Sequence, residues 1–181
     1  MGSITLDLLV VLFGSVIALL PAFAKDVLHV GQSGLGFLRA AQFMGSAMIA
    51  MVLTAYPPTK YGGRNLLIAV GGFSVCMIAF SFSTNFYLSL GILILSGVFD
   101  GVSVVIRSTI IQLFTPDDMR GRVAAVNSIF IKSSNEIGDF ESGLAAQCLG
   151  LQNAVLFGGL FSLSIVFIVL LFFRKIRNLT I

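Results

Sequence analysis

Charge is what this sequence has least of: Asp, Glu, Lys and Arg make up 10% of its 181 residues. A soluble domain carries about 25%, because a surface facing water needs it. The shortage excludes a soluble enzyme, a nucleic-acid reader and a disordered tail. Cysteine is scarce as well. Cys76 and Cys148 both sit in apolar stretches, so neither a disulfide framework nor a metal site is expected. A single histidine, His29, is too few for a His-based metal site. Nothing resembles a nucleotide-binding loop, so no cofactor is expected and ATP is not the expected drive. The N-terminus lacks the basic segment and small-residue cleavage site of a secretory signal, so the first apolar stretch is expected to stay in the mature chain.

What is present is apolar: 57% of the chain, with 17 Phe and a mean hydropathy of +1.02. The chain reads as an all-α membrane protein with the lipid bilayer as its surroundings. Its net charge of +3 is then to be read by side of the membrane rather than as a footprint for nucleic acid.

A helix crossing the hydrocarbon core needs about 20 residues. Six apolar runs meet that length, at 4–24, 34–54, 66–84, 86–113, 120–149 and 153–173, forming a single transmembrane domain over residues 1–181. The fifth is the most polar. Lys and Arg set the expected orientation. Lys60 and Arg64 lie in one connection, Arg120 and Arg122 in another, and Arg174, Lys175 and Arg177 in the tail. The opposite face has only Lys25, beside Asp26. The positive-inside rule therefore places both termini in the cytoplasm.

Six charges are embedded within the runs, Arg39, Arg107, Lys132, Asp100, Glu136 and Asp139, while Asp7 and Glu141 lie nearer helix ends. Each costs about 2.5–3.5 kcal/mol at mid-helix if it faces lipid, on the order of 15–20 kcal/mol together. They are expected to pair, to line a water-filled cavity, or both. Their spacing gathers them on single faces. Ser96, Asp100, Ser103 and Arg107 form one stripe, and Ser128, Lys132, Asn135 and Asp139 another, with Glu136 four residues after Lys132. Arg39, Gln42 and Ser46 make a shorter one. Glu141 falls on the opposite face of its helix, toward a neighbour or the rim. The third and sixth runs hold no charge in their spans and read as outer, lipid-facing supports. The alternative is that these charges only pair between helices and fix the bundle. Gly97 and Gly101 are spaced for close helix packing.

Six helices with a charged loop after the fourth resemble one half of a major facilitator superfamily transporter. The strings "LLPAFAKDVLHVGQSGLG" (19–36), "SVVIRST" (103–109), "TPDDMRGRVAAVNS" (115–128) and "SNEIGDFESG" (134–143) make the match closer. They resemble the C-terminal half of the enterobactin-exporter-like, transmembrane secretion effector branch. The resemblance implies that the first, second, fourth and fifth helices line a central cleft. It implies a cytoplasmic gate at Arg120, Gly121 and Arg122, with Arg64 in a degraded copy of the superfamily's Gly-and-Arg loop. It also implies a missing partner, either an N-terminal half or a second copy of the chain. The resulting expectation is a multi-pass protein of the plasma (inner) membrane. Its activity would be secondary active efflux of a small-molecule substrate such as a siderophore or drug, with protons as coupling ion. A carboxylic acid in a dehydrated cleft can load and release a proton as access alternates, and Asp100, Glu136 and Asp139 are the candidates.

Two other readings compete with this one. A membrane scaffold or truncated remnant would leave the polar stripes dispensable. An intramembrane peptidase needs a Ser nucleophile and a His base on a later helix. Here Ser96 follows His29, which lies in an outer loop, so an enzyme is not expected.

Overall fold

The computed structural model describes residues 17–55 and 62–172. The described residues are helices joined by short turns, without strands. In chain order they are α1 (Leu20–Asp26), α2 (Gln32–Ala55), α3 (Gly62–Ser81), α4 (Phe86–Phe114), a 3-10 turn (Asp117–Met119), α5 (Arg120–Leu149) and α6 (Leu151–Phe172). Most of the predicted first helix, with Asp7 and Gly14, lies outside the described residues. So do Lys60 and the basic tail.

Local chemistry places the breaks. Ile17 to Leu19 form a turn, and Pro21 falls in the first turn of α1, where a missing N–H costs nothing. The Asn85 side chain caps α4 by accepting from the Tyr87 backbone N–H at 3.0 Å. Thr115 before Pro116 is extended and stops α4. Gly150 joins α5 to α6 at φ 86°, a conformation that disfavours any side chain.

Among the described residues, four helices are long and apolar enough to cross a membrane: Gln32–Ala55, Gly63–Ser81, Phe86–Leu113 and Leu151–Val169. The chain is a multi-pass membrane protein. α5 is too polar to join those four, yet its 30 residues extend about 45 Å, longer than a hydrocarbon core of about 30 Å.

α4 is the centre, packed along α2 on one side and α3 on the other, while α6 packs on α3. α5 packs mainly on α6. Two apolar clusters hold the described bundle. One joins α1, α2, α3, α4 and α6 around Phe23, Leu38, Phe80 and Leu93; the Phe23 and Phe80 ring centroids are 4.6 Å apart. The other, at the opposite end, joins Leu66, Leu67 and Val70 of α3 to Ile106 of α4 and to Val166 and Val169 of α6. Cys76 is buried in α3 and Cys148 exposed on α5, both free thiols.

Candidate functional site

The α2–α4 seam is set by glycine. A Cβ on Gly97 would overlap the Gln42 carbonyl oxygen, and one on Gly45 would overlap that of Ile94. Gly101 lies against Ser46 and Ile49 in the same way. The backbones therefore touch, as small residues allow in a membrane where no hydrophobic force drives helices together. This seam half-buries Gln42 and Ser46 and leaves Arg39 exposed.

Along α4, Ser96 and Ser103 are buried, while Asp100 and Arg107 are half-buried. The Ser96 hydroxyl donates to the Leu93 carbonyl at 2.8 Å, so its proton is already committed to its own helix. The fourth-helix stripe thus divides into hydroxyls turned into protein and charges at its margin.

The fifth-helix stripe is placed differently. Lys132, Asn135 and Glu136 are exposed and Asp139 is half-buried. The Ser128 hydroxyl donates back to Ala124 at 2.8 Å. Among the described residues no ion pair joins Lys132 to Glu136, although the i, i+4 spacing permits one. Nor do the described residues cover this face, since Gly138 is the buried residue of α5.

α4 and α5 meet at their connection. A cavity of about 170 Å³ opens there, lined by Ser108, Gln112, Thr115, Arg120, Asn127 and Ser128 among others. Arg120 Nη2 lies 2.8 Å from Asp117 Oδ1, one turn earlier, with both side chains more than half exposed. Gly121 and Arg122 are exposed beside it. Arg64 is exposed on another face, between α3 and α6. The structure gathers Arg120 and the polar ends of α4 and α5 around one cavity, and Arg64 does not line it.

Glu141, which the stripe pattern set aside, is the acid with an unusual surrounding. Its Oε2 is shielded from solvent and has no hydrogen-bond partner among the described residues. Such an atom costs about 1–3 kcal/mol, more if it carries charge. Periodicity placed Glu141 off the stripe but had no means of seeing that one of its oxygens is buried without a donor among the described residues.

A helical bundle with charged stripes on its spanning helices and a basic turn between the fourth and fifth runs is the setting in which family relationship decides function. The transmembrane secretion effector family matches residues 8–179. The chain belongs to this family. Its members are major facilitator-type membrane transporters, not enzymes, which sets aside the intramembrane peptidase. No curated protein and no solved structure matches the chain.

Proposed function

We propose that the chain is a six-helix half of a secondary active exporter, completed by an N-terminal half or by a second copy. The observation that carries the reading is α5. A family of transporters has here a helix long enough to span, with Lys132, Asn135 and Glu136 exposed on a face the described bundle leaves open. Charged side chains at membrane depth need a polar cavity or a partner. Transporters of this type place the cavity where two six-helix halves meet. The resemblance to enterobactin exporters favours outward movement of a siderophore or drug across the plasma (inner) membrane, with both termini cytoplasmic. In this reading Arg39, Gln42, Asp100 and Arg107 form one wall of the cleft, and Lys132, Asn135, Glu136 and Asp139 the other. Glu136 and Asp139 carry coupling protons, and Lys132 with Arg107 meets an anionic cargo group.

The test is reconstitution of the full chain, with its partner half or as a dimer, in proteoliposomes under an imposed pH gradient. Glu136→Gln with Asp139→Asn is expected to abolish gradient-driven efflux while the protein still inserts. Efflux that follows the gradient unchanged in this variant would sink the assignment of protons to these acids.

A further inference from the structure

The outward face between α3 and α6 holds a groove of about 770 Å³. Its α3 wall follows a stripe, Arg64, Ile68, Gly71 and Val75, at i, i+4, i+7 and i+11, flanked by Leu67 and Gly72. Leu163 and Phe167 are on the α6 wall. Ile68, Val75 and Phe167 are each more than half exposed, so the groove opens outward from the bundle.

Small residues help open the groove on its outer side, while Leu66, Leu67 and Val70 pack with Val166 and Val169 beneath it. The two helices run antiparallel, with Gly159 beside Ile78 and Gly71 beside Val166. At Gly159 an added Cβ would come within 2.8 Å of Ile78 Cγ1 and 3.2 Å of its backbone nitrogen. At Gly71 it would reach only Val166 Cγ1, at 3.8 Å. A side chain at Gly71 would therefore meet little, while one at Gly159 would meet α3 closely.

The groove has a charged end and an apolar length. From Arg64 to Val75 the helix rises about 16 Å, which matches one leaflet, half of a hydrocarbon core about 30 Å thick. Arg64 stands in the first turn of α3, at the very end of that span, and has no hydrogen bond or ion pair among the described residues. We propose that this groove seats one acyl chain of an anionic phospholipid, with the lipid phosphate on Arg64. A phospholipid presents its charge and its chain in this order along the groove. An anionic headgroup is preferred over a choline headgroup because it brings no cation of its own to compete with Arg64.

The absence of tryptophan provides a clean probe. Ile68→Trp is placed in the full chain and reconstituted in phosphatidylcholine vesicles containing brominated phosphatidylglycerol or brominated phosphatidylcholine at equal mole fraction. Bromine quenching is expected to report about fivefold tighter occupation by phosphatidylglycerol, the effect of one cation beside an anionic lipid. Arg64→Gln in the same background should erase the preference. Gly71→Leu, at a position with room for a side chain, should lower quenching by both lipids. Leu113→Trp, exposed at the same end of the bundle but off the groove, should show no comparable preference. An equal preference at Leu113→Trp, or its survival in Arg64→Gln, would overturn the proposal. So would quenching at Ile68→Trp that fades as protein is raised against lipid, because a second copy would then fill the groove.

Discussion

Gly97 of α4 sits against the Gln42 backbone of α2 so closely that a methyl group there would overlap the Gln42 carbonyl oxygen. The contact is backbone on backbone, so no rotamer change can relieve it. Gly97→Ala must push α2 and α4 apart along the most extensive interface of the described bundle, loosening Gly45 and Gly101 with it. Overpacking of this kind costs about 1–3 kcal/mol, to be read as a lower thermal midpoint in detergent. Gly91→Ala, with open space at its Cβ, should leave the midpoint unchanged or raise it by the helix-propensity gain of up to about 1 kcal/mol.

Glu141 gives a prediction in which stability and function part company. Glu141→Gln keeps the shape and removes the ionisable group from a position where one oxygen has no partner. The thermal midpoint should be unchanged or higher. If Glu141 shares in proton loading, the variant's efflux should lose its dependence on an imposed pH gradient. A wild-type response to the gradient would assign Glu141 to packing alone.

The Arg120–Asp117 pair is exposed on both sides. Exposed pairs at this spacing contribute about 0.3–0.5 kcal/mol, so Asp117→Asn should leave the thermal midpoint within error. A gate predicts something that stability does not show. Arg120→Ala should slow transport at unchanged folding, measured as initial efflux rate against midpoint. Equal rates would remove Arg120 from the gate.

The two cysteines test orientation. Cys148 is exposed one turn from the α5–α6 connection, while Cys76 is buried in α3. With both termini cytoplasmic, that connection faces outward. A membrane-impermeant maleimide should therefore label intact cells at Cys148, and Cys148→Ser should abolish the signal. Labelling confined to inside-out vesicles would reverse the topology.

The breaks between helices were legible because each has a local cause: the Asn85 cap, Thr115 before Pro116, and Gly150 at positive φ. The membrane character was legible from hydropathy alone. The stripes were legible as faces, since periodicity reports which residues share a side of a helix. What lies opposite that side is a tertiary fact. Ser96 and Asp100 share a stripe, yet the hydroxyl is buried and bonded to its own helix while the carboxylate stands at the margin. Lys132 and Glu136 have pairing distance in sequence and remain apart, because exposed side chains gain little from being held in one geometry.

By itself, then, the sequence determined a membrane-spanning helical chain, where its helices break and which residues share a face. Those properties follow from hydropathy, local capping and a 3.6-residue period, all of which act within one segment. The tertiary structure decided what meets each face. It pressed Gly97 onto Gln42, left one oxygen of Glu141 without a partner among the described residues and opened a groove between α3 and α6 beside Arg64. These depend on the angle and separation of helices distant in sequence, and close packing between two surfaces cannot be read from either one alone.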